Sequence, residues 1–278
     1  MTNLAAKSFA LRRDILDLVY RAKTGHIGGD FSVVDILTAL YYSQMNVTPD
    51  NFHTPGHDRF LLSKGHSVEA LYAVLADRGF FPKEELESVS QFGSPYIGHP
   101  TCKVAGVEMC SGSLGHGLSV GAGMALAARM DGADWRVFVV MGDGELAEGS
   151  VWEGAMLAGH YKLDNLIAIV DRNGLQISGS TEDVMSHENL RERWATFGWR
   201  VLEVDGNDLN ALDAVIAEAK EPQRKPTVII ARTVKGCGVS FMENKAEWHH
   251  RVPTPEEYEQ AVAELSAKEA AAHEKGTE

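Results

Sequence analysis

Two short glycine-flanked segments carry the residue types best suited to chemistry. The first is Gly142-Asp143-Gly144, which follows directly on the apolar, β-branched run WRVFVVM at 135–141. The second begins where the run NLIAIV at 165–170 ends, with Asp171 and then Asn173. Glycine on both sides of Asp143 lets the chain turn sharply and lets a bulky group approach the backbone. Asp143 and Asn173 stand thirty positions apart, about one strand–helix–strand unit, so two neighbouring parallel strands would deliver them side by side at one sheet edge. A carboxylate, an amide oxygen and nearby main-chain carbonyls are hard oxygen ligands of the kind that Mg²⁺ or Ca²⁺ takes. Mg²⁺ bound through few protein groups completes its shell with phosphate oxygens, so the implied ligand is a diphosphate. Asp-Gly and Asn-Gly are also ordinary turn formers. Here both fall at strand ends, where open parallel sheets bind ligands, and that favours the site over the turn.

The elements that must position these groups follow from the hydrophobic pattern. From residue 135 onward, strands at 135–141, 165–170, 199–204 and 226–231 alternate with helices at 150–161, 189–197 and 208–220. Strands that are apolar throughout, separated by helices, predict a parallel sheet covered on both faces. The expected fold class is therefore α/β: a doubly wound, mostly parallel sheet with helices on both faces, as a single domain over 1–278. Upstream, Leu4, Leu11, Ile15, Leu18, Val19 and Ala22 share one helical face, predicting a helix over 2–23 that Gly25 ends. Ser32 is expected to cap a second helix whose buried stripe is Val34, Leu37, Leu40 and Tyr41. Further helices are expected at 67–78 and, with Pro82 in its first turn, at 82–90. The stretch 93–117 is rich in Gly, Ser, His and Pro and has no period, the mark of a long functional loop. Leu114 to Met130 reads as a helix with a face of Gly, Ala and Ser, suited to close approach of another backbone or a ligand. The tail 253–278, with seven acidic and two basic residues, is expected to be a solvated helix.

Composition narrows the partners. The 278 residues include 26 basic and 39 acidic side chains, a formal charge of −13, which disfavours nucleic acid because phosphate backbones need a basic surface. No run of eighteen apolar residues exists, so no membrane-spanning helix is expected. Arg12, Arg13 and Asp14 interrupt the first apolar pattern, which is unlike a signal peptide. Cys102, Cys110 and Cys237 form neither a disulfide framework nor a CxxC metal site, and a reducing cytoplasmic location is expected.

The motif GDGELAEG, with DRNGLQISG placing its Asn thirty residues after the Asp, resembles the thiamin-diphosphate motif, and its wording is similar to transketolases. The segments KTGHIGG (23–29), SKGHSVEALYAVL (63–75), GHPT (98–101), GSLGHGLSVGAGMALA (112–127) and TVKGCGVSFMENKAEWH (233–249) agree, in order, over nearly the whole chain. The likeness is confined to the diphosphate-binding domain. The chain thus resembles the N-terminal subunit of a split transketolase.

The resemblance implies a set of roles. Asp143, Asn173 and the carbonyl of Leu175 would bind Mg²⁺, with Ca²⁺ as a substitute, and the metal would clamp the diphosphate of thiamin diphosphate. Gly112 and Leu114 match the loop that passes the cofactor, and Gly142, Gly144 and Glu145 the diphosphate turn. His26, His66, His99 and His249 match active-site histidines that contact the diphosphate, move protons to substrate oxygens and hold the donor's hydroxyls. His250 stands where Gly is usual, so either His249 or His250 could point inward, and His116 replaces a usual Gln. Lys64 could pair with an acid or cap a helix, and Lys235 could lie near phosphate or be solvated. Glu148 and Glu153 match acids at the dimer interface, and Trp152 could be an interface anchor or core.

The implied reaction is transfer of a two-carbon ketol unit from a ketose or ketose phosphate to an aldose. The Glu that activates the cofactor in this family belongs to the pyrimidine-binding domain, and no Glu here has the context to replace it. A second polypeptide is therefore expected, in an α2β2 assembly. Among relatives sharing GDG…N, a 1-deoxyxylulose-phosphate synthase or a 2-oxo acid decarboxylating subunit is the alternative; SKGH and GHPT point to that synthase or to transketolase, and DRNGLQISG with MENKAEWH favours transketolase. A catalytically silent scaffold would be expected to have lost the Asp143–Asn173 pair.

Overall fold

A computed structural model describes residues 3–275. Residues 1, 2 and 276–278, which the expected helix 2–23 and the acidic tail include in part, lie outside the described residues. Five strands form one sheet: β1 (Arg59–Leu62), β2 (Val137–Gly142), β3 (Leu166–Arg172), β6 (Arg200–Asp205) and β7 (Thr227–Arg232). Their order is β1-β2-β3-β7-β6, and every neighbouring pair is parallel. A separate two-stranded antiparallel ribbon, β4 (Leu175–Gln176) with β5 (Gly179–Ser180), follows β3 and leads into the short helix α6 (Thr181–Met185).

Along β2, Val137, Val139 and Met141 enter one core while Phe138 and Val140 enter the other. Neither face of the strand meets water, which is why its sequence shows no polar alternation. One core is closed by α1 (Leu4–Ala22), α2 (Ile27–Ala39), α3 (Val68–Asp77) and α8 (Leu209–Ala219). The other is closed by α4 (Gly117–Met130), α5 (Gly149–Tyr161) and α7 (Leu190–Thr196). The fold is the doubly wound parallel α/β arrangement.

Local departures from the expected elements each have a packing cause. Ser32 does not cap α2, which begins at Ile27 directly after His26. All thirteen of its residues are buried, so tertiary burial overrides the poor helix propensity of Gly28-Gly29. A side chain at Gly28 would stand 2.6 Å from the Trp248 carbonyl oxygen, so that glycine admits another backbone. The left-handed residue that ends α1 is Lys23, at φ 57°, rather than Gly25. The 82–90 segment forms only a 3-10 turn, Lys83–Ser88. β1 has no counterpart in the sequence pattern, being a four-residue edge strand paired only with β2. The C-terminal helix α9 (Pro255–Lys275) is not solvated all round: Ala261 and Leu265 are buried, and Tyr258 stacks on Tyr20 of α1 at 4.2 Å between centroids.

Glycines of the α4–α5 layer act by close approach. Gly121 lies against Val139, and Gly159 of α5 faces the Phe197 carbonyl, where a Cβ would sit 1.8 Å from the oxygen. Gly159→Ala should therefore force α5 and the α7–β6 turn apart and lower stability by about 3 kcal/mol. A denaturant midpoint unchanged from wild type would contradict this contact.

Candidate active site

β2 and β3 are adjacent and parallel, with Gly142 opposite Asp171, so Asp143 and Asn173 emerge at the same carboxyl end of the sheet. Asp143 turns the chain into a short 3-10 segment, its Oδ1 accepting from the Gly144 amide at 2.9 Å. Its Oδ2 accepts from the Gly174 amide at 2.6 Å, which binds the two strand-end loops together. Gly174 adopts φ 76°, a left-handed conformation that glycine enters without strain. Asn173 donates from Nδ2 to Ser32 Oγ at 3.1 Å, and its Oδ1 accepts from the Leu175 amide at 3.1 Å.

These groups line a cavity of about 270 Å³, together with Lys64, His66, His99, Gly112, Leu114, Gly142, Gly144, Glu145, Leu175, Gln176, Ile177, Lys235 and His249. His26 lies beside the three lining histidines. Its ring lies 5.4 Å from His66, 6.3 Å from His99 and 5.7 Å from His249, and His66 stacks on His249 at 5.2 Å. Four separate segments converge here: the residue before α2, the turn before α3, the 93–117 loop and the 3-10 turn Ala246–His249.

The floor of the cavity is a buried ion pair. Lys64 Nζ donates to Asp171 Oδ2 at 2.5 Å and to the Gly29 carbonyl at 3.2 Å. Asp171 also accepts from Ser32 Oγ at 2.7 Å and from the Thr233 hydroxyl. Lys235 is buried as well, its Nζ 3.1 Å from His249 Nδ1. Burial, then neighbouring cations and histidines, hold His26 down at about 4 and His249 at about 3, and push His66 lower still. Burial lowers His99 too. The four imidazoles are therefore neutral near pH 7, each with one nitrogen lone pair and one N–H. Lys235, lowered to about 8 chiefly by burial, keeps its charge there. Asp143 is pushed up to about 6, first by burial and then by Asp171.

Behind His26 lies a second carboxyl pair that the sequence pattern does not reveal. Asp30 of α2 and Glu69 of α3 are buried, and Asp30 Oδ2 and Glu69 Oε2 have no hydrogen-bond partner among the described residues. Desolvation raises both, and each carboxyl interacts with the other. A carboxyl with a folded pKa above its unfolded one holds its proton more tightly when folded. Its stabilisation is complete below the ordinary carboxylate range near pH 4 and is lost as pH rises toward and past neutrality. Wild type should lose more stability between about pH 5 and about pH 8 than Asp30→Asn does. Equal losses in urea unfolding would show that the pair holds no extra proton.

Several residues fall differently from expectation. Glu145 lines the cavity, but its carboxylate is occupied within the protein, accepting from the amides of Gly115 at 2.8 Å and Gly142 at 3.1 Å and from the Ser63 hydroxyl. It ties the β2 turn to the 112–117 loop. His249 faces the cavity, while His250 is exposed and lies 4.7 Å from the His26 ring at the mouth. His116 is exposed and bonded to the Leu114 carbonyl. Glu148 and Glu153 are exposed and outside the cavity. Trp152 is half-buried and packs against the core, 5.2 Å from Trp194, with its Nε1 donating to the Leu146 carbonyl. Gln176, Ile177, Ser32 and Thr233 carry no sequence signal of a site. A larger hollow of about 840 Å³ between α1, α8 and α9 holds the buried pair Arg12–Asp35 at 2.8 Å. Ser8 and Asn207 also donate to Asp35, so this ion pair is satisfied within the protein.

The chemistry of the donors fits a divalent cation carrying a diphosphate. Among the described residues no group of three or more His, Cys, Asp and Glu side chains is placed to hold a metal. The available ligands are thus one carboxylate, one amide oxygen and main-chain carbonyls, the oxygen set that Mg²⁺ takes with phosphate. Asp143, whose pKa burial and Asp171 raise despite the nearby Lys64 charge, is a carboxylate that such an ion would stabilise.

The fold is an open parallel α/β domain with a cavity at the carboxyl ends of its strands, where such sheets bind ligands. The chain belongs to the family described as "Transketolase, thiamine diphosphate binding domain", whose pattern matches residues 5–271. It is 52% identical over 257 residues to an apulose-4-phosphate transketolase subunit of Phocaeicola vulgatus, spanning 92% of each chain. It is 40% identical over 264 residues to the 6-deoxy-6-sulfo-D-fructose transketolase subunit SqwG of a Clostridium species, spanning 95% of this chain and 96% of that one. A crystal structure of a variant transketolase from Pichia stipitis superposes with a TM-score of 0.89 at 30% identity, covering 98% of this chain but only 44% of that one. Among the described residues no helix is long and apolar enough to cross a membrane.

Proposed function

We propose that this chain is the diphosphate-binding subunit of a two-component transketolase, moving a two-carbon ketol unit from a ketose phosphate to an aldose. The observation that carries the reading is one cavity with an oxygen-donor set at one end and three neutral histidines at the other, His66, His99 and His249, with His26 beside them. Two relatives named as transketolase subunits, each of nearly the same length as this chain, support a separate partner. The name of the first supports a phosphorylated ketose as donor. Thiamin diphosphate would supply a nucleophilic carbon that cleaves the bond beside the donor carbonyl.

This chain's residues do the rest. Asp143, Asn173 and the Leu175 carbonyl would hold Mg²⁺, and Gly142, Gly144 and Gly112 leave room for phosphate against the backbone. Lys235 donates to His249 Nδ1 and so leaves the Nε2–H of His249 to donate to a substrate oxygen. His26, His66 and His99, being neutral, can each take a proton at one nitrogen or give one at the other as charge develops on substrate oxygens. The activating Glu would come from the partner's pyrimidine-binding domain in an α2β2 assembly, with Glu148 and Glu153 on the joining surface and the complex in the cytoplasm. The purified chain should show no ketol transfer alone and should gain it on mixing with the partner. Full activity of the lone chain, or pyruvate decarboxylation by the pair in place of ketol transfer, would overturn the assignment.

A further inference from the structure

Cys102 and Cys110 are both exposed and free, and their sulfurs lie 3.4 Å apart. A disulfide needs about 2.05 Å, so a short closing movement suffices to join them. They face each other across the neck of the loop 101–111. At its base the Ser111 amide donates to the Pro100 carbonyl at 3.2 Å. Its tip is anchored by Val104, Gly106 and Val107, all buried. Gly106 has no space for a side chain, a Cβ there meeting Leu75 at 2.7 Å and Phe80 at 2.8 Å. The neck is therefore held closed whatever the oxidation state of the thiols.

From this geometry we propose that Cys102 and Cys110 form a redox-active dithiol that hydrogen peroxide converts to a disulfide within the loop. The Cys110 thiolate attacks one peroxide oxygen; the O–O bond breaks, the sulfur becomes a sulfenic acid, and the other oxygen leaves as water after taking up a proton. The Cys102 sulfur then displaces the hydroxyl of that sulfenic acid. The S–S bond forms, and the Cys102 proton and the departing hydroxide make a second water. Two thiols lose two electrons in all, and one peroxide becomes two waters. The two cysteines differ in the direction this order requires. The Cys102 amide donates to the Cys110 sulfur at 3.2 Å, and that bond, followed by the Cys102 side chain, favours the Cys110 thiolate, while burial raises Cys102. The bond would form next to the cavity: His99 precedes the loop, Gly112 follows it, and a Cβ on Gly112 would stand 3.3 Å from the His99 ring.

The test is intact mass and peptide mapping of the reduced, desalted full chain after exposure to hydrogen peroxide. Wild type should lose two hydrogen masses, yield a peptide linking Cys102 to Cys110, leave Cys237 open to alkylation after unfolding, and recover its mass with dithiothreitol. In Cys102→Ser, Cys110 should stop at the sulfenic acid and be trapped by dimedone, and in Cys110→Ser, Cys102 should remain reduced under the same exposure. A wild-type product that gains oxygen at Cys110 without the link, or one joined between chains, would overturn the proposal. Because the readout is thiol chemistry, it stands or falls apart from the transketolase reading.

Discussion

Asp143→Ala in the reconstituted pair should lower the Mg²⁺-dependent affinity for thiamin diphosphate by at least about 100-fold, since loss of groups that merely orient metal ligands already costs 10- to 100-fold. The side chain is 3% exposed, and burial and Asp171 hold its pKa up to about 6. In the free protein this is a poorly solvated carboxylate facing a second carboxylate, an arrangement that a cation would relieve. Removing it forfeits the two amide contacts from Gly144 and Gly174, at about 1 kcal/mol each, and removes a desolvated charge in return. The stability of the ligand-free chain should thus change little, while the response to ligand shrinks sharply. At thiamin diphosphate concentrations of about 100 times the wild-type Kd with saturating Mg²⁺, wild type gains about 2.7 kcal/mol of stability, and the variant should gain at most about 0.4 kcal/mol. An undiminished ligand-induced shift in the variant would remove Asp143 from the metal site and move the diphosphate elsewhere.

How far the sequence foretells this site depends on how each group is brought in. Asp143 and Asn173 sit at the ends of consecutive strands, so one strand–helix–strand spacing is enough to infer that they are neighbours. The histidines come from four segments spread from residue 26 to residue 249, and no periodicity relates them. Their grouping was legible only through the resemblance of whole motifs. The strands at 135–141 and 226–231 announced themselves because they are apolar on both faces. β1 did not, since four residues at a sheet edge make too short a pattern. The Ser32 reading failed for a physical reason: helix α2 is buried all round, so a hydroxyl inside it is spent on Gly29 and Asp171 rather than on a cap. Asp30 and Glu69 likewise look like surface acids in sequence, and only the packing of α2 on α3 makes them a buried pair.

Lys64→Met should be the most destabilising single substitution at the site, by about 3–5 kcal/mol, because it strands a buried carboxylate. The Lys64–Asp171 pair is nearly sealed, with side chains 2% and 0% exposed. Asp171 would keep the hydroxyls of Ser32 and Thr233, but two neutral donors do not replace an ammonium group in a medium that screens so little. The loss reaches the cavity too, since Lys64 also offsets the repulsion between Asp171 and Asp143. Without it, two carboxylates would face each other where the proposed ion must sit. Asp171→Asn in the Lys64→Met background removes the stranded charge and keeps an oxygen for the hydroxyls, so the double variant should recover more than half of the lost stability. Denaturant midpoints of wild type, both single variants and the double variant close the cycle. A Lys64→Met loss under about 1 kcal/mol, or strictly additive effects, would mean that the ion pair does not hold the floor of the cavity.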